Sequence, residues 1–134
     1  MLTQTEIASI RSSWLAVATD RDRAGEVFYD NLFRTAPETK SMFNTSARVQ
    51  GRKLMETLAI VVDGLDQFDA LLPTLRHLGK THAALGVRPE HYDIVGATLI
   101  KTLRDTAGGK FGPQEDAAWR KAYGTIADIM KAAD

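Results

Sequence analysis

Five side chains stand out as candidates for chemistry: His77, His82, His91, Gln50 and Tyr29. His82 has Leu75, Leu78 and Leu85 at separations of seven, four and three residues, so all four share one face of a helix. A buried imidazole on an apolar stripe must satisfy both ring nitrogens. Two readings follow: a core histidine bonded to a carbonyl or carboxylate, or the axial ligand of a metal. His77 lies five residues before His82 and is rotated off that face, and His91 precedes Tyr92 in the first turn of another helix. Both are expected at the surface. No histidine pair at i, i+4 and no Glu-x-x-His motif occurs, so a bundle-core di-metal site is not supported. Gln50 shares a face with Leu54 and Leu58, and Tyr29 sits among Val27, Phe28, Leu32 and Phe33. Taken singly, a tyrosine there reads as a core residue with a bonded hydroxyl, and a glutamine at a helix start as a solvated amide. Gly108-Gly109 lacks the strand and helix that would make it a phosphate loop. No Ser-His-Asp order stands out, and Arg52-Lys53 reads as a solvated helix edge.

The elements that must position these residues are all helical. Thr3-Gln4-Thr5-Glu6 has the capping-box pattern and opens a helix with Ile7, Ile10, Trp14, Leu15 and Val17 at helical spacing. The charged run Asp20–Arg23 breaks it. A second helix carries Val27, Phe28, Leu32 and Phe33, and Pro37 opens a short one ending near Met42-Phe43. Asn44-Thr45-Ser46 is a turn with capping residues. A long helix with Val49, Leu54, Leu58, Val61 and Val62 follows and fades near Gly64. The next is clearest from Pro73 to Leu85, with Gly86 placed as its C-terminal cap. Pro89 begins a helix carrying Tyr92, Val95, Leu99 and Leu103. After Gly108-Gly109, Pro113 opens a last helix with Trp119, Tyr123, Ile126 and Met130. No strand alternation, repeat or linker competes. The expectation is one all-α domain over residues 1–134, with seven or eight helices. Periodicity alone does not separate the possible helical packings.

Composition narrows the function classes. Seventeen basic and seventeen acidic residues cancel, which argues against nucleic acid or an anionic membrane as the main partner. The absence of cysteine excludes disulfides, thiolate metal sites, thiol catalysis and covalent c-type haem attachment. The first residues lack the basic start and apolar core of a signal peptide, and no run approaches a membrane span. These features predict a cytoplasmic protein.

Several motifs then act in combination. Phe28-Tyr29-Asp30-Asn31-Leu32-Phe33, Pro37 and Met42-Phe43 resemble the start of bacterial haemoglobins and of the globin domain of flavohaemoglobins. Lys80-Thr81-His82 with Pro89-Glu90-His91-Tyr92-Asp93-Ile94-Val95-Gly96 resembles their proximal segment. Trp119-Arg120-Lys121-Ala122-Tyr123-Gly124 with Ile126-Ala127 matches their last helix, and Gln50-Gly51-Arg52-Lys53-Leu54-Met55 is also similar to neuroglobins, with glutamine in place of their distal histidine. The chain thus resembles single-domain bacterial globins, close to the Hell's Gate type, over nearly its whole length.

That resemblance implies a globin fold around a haem b pocket. His82 matches the proximal histidine, Phe43 the phenylalanine packed on the porphyrin, and Tyr29 and Gln50 the distal pair facing the ligand. Leu54, Leu78, Val87 and Val95 fall at haem-lining positions. Tyr92 matches a proximal tyrosine that supports the histidine's hydrogen bonding, and Lys53 a position that pairs with a haem propionate. Where flavohaemoglobins have a glutamate completing that proximal network, this chain has the shorter Asp134 at the matching spacing from Trp119.

The implied function is binding of dioxygen, nitric oxide and carbon monoxide at a five-coordinate iron, for oxygen binding or scavenging or for nitric oxide detoxification. Nitric oxide dioxygenation is the enzymatic alternative. It requires a separate flavin reductase, since these residues supply none. A gas sensor would need an output domain. A haem-free docking scaffold would not need a histidine on an apolar stripe.

Overall fold

The computed structural model describes residues 2–43 and 46–133. Six α-helices hold most of the chain: α1 (Gln4–Ala18), α2 (Arg21–Thr35), α3 (Ala47–Asp63), α4 (Phe68–Ala84), α5 (Pro89–Thr106) and α6 (Pro113–Lys131). Short 3-10 helices span Pro37–Met42, Leu65–Gln67 and Gly108–Lys110. No strand occurs among the described residues. The all-α expectation holds, and Pro37–Met42 is its seventh helix.

Local chemistry sets most boundaries. The Thr3 hydroxyl accepts from the Glu6 amide at 3.1 Å while Glu6 accepts from the Thr3 amide at 2.7 Å, a reciprocal cap. Ser46 caps α3 by accepting from the Val49 amide at 3.3 Å. Asn44 and Thr45, the rest of the expected turn, lie outside the described residues. Two boundaries differ from expectation. Asp20 accepts from the Arg23 amide at 3.2 Å, so the break between α1 and α2 is confined to residues 19–20 and the rest of the charged run is the solvated first turn of α2. Helix α4 begins at Phe68 and runs through Pro73. Pro73 is exposed, so water can reach the carbonyl it leaves without a donor, while buried Leu71 and Leu75 hold the turns on either side.

The end of α4 matters most for the site. Gly86 has φ +90°, and the Gly86 and Val87 amides donate to the carbonyls of Ala83 and His82, each at 3.0 Å. This double closure stops the helix one turn after His82, at a conformation that suits glycine. Leu85 consequently caps the helix and is 60% exposed, so it does not extend the His82 stripe as its spacing suggests. Leu15 is likewise exposed, on the outer side of α1.

Packing is dominated by α2 crossing α3 at two glycines. A Cβ on Gly25 or on Gly51 would sit 2.7 Å from the backbone of the other. Helix α4 packs on α6, where Gly79 admits the Met130 backbone, and α1 packs on α6. Between α1 and α6 the Trp119 indole donates to the Ser13 hydroxyl at 2.8 Å, both residues being buried. We expect Ser13→Ala to cost about 1–3 kcal/mol by stranding that indole N–H. Urea midpoints should show the loss, while exposed Ser12→Ala stays within about 0.5 kcal/mol of the parent.

Candidate functional site

Helices α3 and α4 scarcely touch each other, although each packs firmly elsewhere. The residues singled out in the sequence lie on α2, α3, α4 and α5. From α4 comes His82, half-buried, its Nδ1 2.7 Å from the Leu78 carbonyl. Nδ1 therefore carries the proton and donates. Nε2 is left with its lone pair, and no partner for it occurs among the described residues. The carbonyl one helical turn back fixes both tautomer and ring direction, as metal-binding histidines require. This partner is purely local, and the i−4 relation on α4 could have revealed it.

From α5, buried Tyr92 stacks near the imidazole, with ring centroids 6.4 Å apart and 30° between planes. The contact is ring against ring; no hydrogen bond joins the two residues. Behind Tyr92, the Tyr123 hydroxyl donates to the Tyr92 carbonyl at 2.6 Å, and its ring covers Gly96. Burial pushes the Tyr123 hydroxyl well above the ordinary tyrosine range, with the charges of Tyr92 and Asp93 adding to it. Val87 and Val95 are half-buried on the same side. Asp134 lies outside the described residues.

On the other side, Tyr29 of α2 is only 7% exposed and is enclosed by rings. Phe28 meets it edge-on at 4.9 Å, Phe43 edge-on at 5.2 Å, and Phe33 at 5.7 Å and 42°. Its hydroxyl has no hydrogen-bond partner among the described residues, and it is not sealed from the surrounding space. Burial alone pushes its pKa up to about 12, so it is a neutral donor at any ordinary pH. Gln50, half-buried, sits in the first turn of α3, one residue before the Gly51 crossing that brings α3 against α2. Leu54 follows one turn on, also half-buried, and Lys53 is exposed beside it. His77 is exposed as expected, whereas His91 is half-buried and its Nδ1 accepts from the Arg88 amide at 2.9 Å.

The arrangement suits a flat, largely apolar group that carries a metal. Phe43, Leu54, Leu78, Val87 and Val95 are each left partly uncovered, which costs hydrophobic stabilisation unless something covers them. His82 offers one unused imidazole nitrogen, and Tyr29 one unused hydroxyl. No cluster of three or more acidic, cysteine or histidine side chains occurs among the described residues, so a metal without an organic frame has no obvious cage. No described helix is long and apolar enough to cross a membrane. The sequence pattern missed the Gly25–Gly51 contact and the buried Ser13. Glycines inside helices α2 and α3 were the available signal, because each costs about 1 kcal/mol of propensity without a packing reason.

Comparison with known proteins agrees. A family model described as Globin matches residues 26–130. A flavohemoprotein of Vibrio cholerae is 32% identical over 133 residues, covering 97% of this chain and 34% of the relative. One from Bacillus subtilis is 34% identical over 106 residues, covering 77% of this chain and 27% of the relative. The chain thus spans only about a third of these relatives' length. A bacterial globin from Campylobacter jejuni superposes with TM-score 0.84 at 26% identity, over 98% of this chain and 95% of that one. An engineered carbene transferase from Rhodothermus marinus, its parent provisionally assigned as a nitric oxide dioxygenase, superposes with TM-score 0.86 at 27% identity, over 98% and 92%. These relatives imply a haem cofactor. By family match, by coverage and by fold, this chain belongs to the globin family.

Proposed function

We propose that the protein holds haem b non-covalently through His82 and binds dioxygen, nitric oxide and carbon monoxide at the haem iron. One observation carries the proposal: the His82 Nδ1–H is committed to the Leu78 carbonyl, which leaves Nε2 as an unused donor on the α4 side, while Tyr29 presents an unpartnered hydroxyl from α2. When bound, haem supplies the iron at which a diatomic gas is held.

The chain's own residues do the rest. His82 would hold the iron through Nε2. Its bond to a neutral carbonyl, and not to a carboxylate, keeps the imidazole a moderate donor. Phe43, Leu54, Leu78, Val87 and Val95 would pack against the macrocycle, and Tyr92 supports the His82 ring by stacking. Lys53, exposed beside Leu54, is placed to pair with a propionate. Tyr29 would donate to the partial negative charge on a bound gas from its buried position, where such a bond is strong, with Gln50 contributed from α3.

Nitric oxide dioxygenation is the second reading. Flavohemoproteins are among the relatives, and a nitric oxide dioxygenase assignment attaches to a structural neighbour. A flavin reductase, on another domain or protein, would have to return the iron to the ferrous state. Steady nitric oxide consumption with NADH and such a reductase would support this reading; a single turnover would support gas binding alone.

The first test is optical. Purified protein given haem should take up one equivalent and, when ferrous, show a five-coordinate spectrum that changes on adding carbon monoxide or dioxygen. His82→Ala should lose stoichiometric uptake while keeping its helical circular dichroism. Uptake indifferent to His82 would overturn the assignment.

A further inference from the structure

Phe33 touches both aromatic residues at the head of the distal pocket. It lies one turn after Tyr29 on α2, so the two side chains share a face. Its ring is 5.7 Å from that of Tyr29 and also 5.7 Å from that of Phe43, whose own ring is 5.2 Å from Tyr29. The three rings close a triangle. Among the described residues no other ring meets both Tyr29 and Phe43, since Phe28 reaches Tyr29 alone. Phe33 is also only half-buried, unlike its neighbours Leu32 and Phe28 at 2% exposure each. Phe33 is therefore held less tightly by the core than its neighbours on α2.

The Tyr29 hydroxyl has no hydrogen-bond partner among the described residues, so ring packing sets where its oxygen sits. Phe28 restrains the ring from behind. The restraint on the open side comes from Phe33 and Phe43. Phe43 follows a short 3-10 helix and has no α-helix of its own to anchor it. Phe33, on α2, supplies the rigid support for both. Edge-to-face and offset ring pairs prefer defined geometries, which makes such packing directional.

We propose that Phe33 is a positioning residue for gas binding: by fixing the rings of Tyr29 and Phe43 together, it sets the direction of the Tyr29 hydroxyl and so the residence time of dioxygen. This rests on the assignment of Tyr29 to the ligand side of a haem pocket.

The test is a double-mutant cycle on the haem-loaded protein. Phe33→Leu keeps apolar volume and removes the ring. It should raise the dioxygen off-rate about three- to ten-fold with Tyr29 present, and leave it unchanged in a Tyr29→Phe background. The C–O stretching frequency of the carbon monoxide complex should move toward that of Tyr29→Phe. Phe111→Leu, which alters a half-buried phenylalanine far from Tyr29 in sequence and contact, should change neither readout. If Phe33→Leu takes up haem poorly, Phe33→Met serves in its place. An unchanged off-rate, or an equal increase in both backgrounds, overturns the inference. If Tyr29→Phe itself leaves the off-rate unchanged, the distal assignment fails first and the role of Phe33 falls with it.

Discussion

Gly51→Val is expected to destabilise the protein by about 3 kcal/mol or more, because the added atoms meet backbone that cannot move aside. A Cβ at Gly51 would lie 2.7 Å from the carbonyl carbon and 2.8 Å from the Cα of Gly25. Overpacking in a core is normally relieved by a change of side-chain rotamer. Here the obstacle is the main chain of α2, so the whole of α3 must retreat. That retreat would also draw Gln50 and Leu54 away from Tyr29, since α3 carries the first two and α2 the third. Urea denaturation should show the lower midpoint, and gas release should quicken in the protein that remains folded. Gly124→Ala is the matched control. It lies inside α6 with nothing within 4 Å of an added Cβ, so it should stabilise by about 0.5–1 kcal/mol through helix propensity. Equal effects at the two glycines would show that the α2–α3 crossing is looser than its geometry indicates.

Tyr29→Phe is expected to raise the dioxygen off-rate roughly ten-fold or more, with little change in stability. A hydrogen bond to a charged partner is worth about 1.5–3 kcal/mol, which sets that scale. The stability side follows from the hydroxyl's isolation: no described group bonds to it, so its removal strands no partner. Phenylalanine also preserves the contacts with Phe28, Phe33 and Phe43. The effect should be flat from neutral pH to well into the alkaline range, because burial holds the hydroxyl protonated up to a pKa of about 12. Stopped-flow displacement of dioxygen by carbon monoxide at several pH values measures both points. An unchanged off-rate would remove Tyr29 from the ligand site. A large loss of stability would instead mean that its hydroxyl has a structural partner.

Local signals were legible because they depend on neighbours within a turn or two. The Thr3–Glu6 capping box, the proline starts of α5 and α6 and the Gly86 stop all involve residues at most a few positions apart. His82 was identifiable for the same reason: its apolar stripe is a property of α4 alone. The two misplaced boundaries arose where one residue type serves opposite roles. Asp20 can end a helix or cap the next, and Pro73 can begin a helix or sit inside one whose flanking leucines are buried.

What only the tertiary structure decided is how the elements meet. Gly25 and Gly51 are separate interruptions in the sequence, and only the α2–α3 crossing makes each the reason for the other. Tyr92 meets His82 from α5 as a stacked ring, a contact between two helices. Tyr29 and Phe33 share a face by spacing, but Phe43 completes the triangle from another element. The physical reason is common to all three. Helical periodicity states which face of a helix is apolar, whereas the partner across that face is set by backbone approach and ring geometry, which a one-dimensional pattern does not encode.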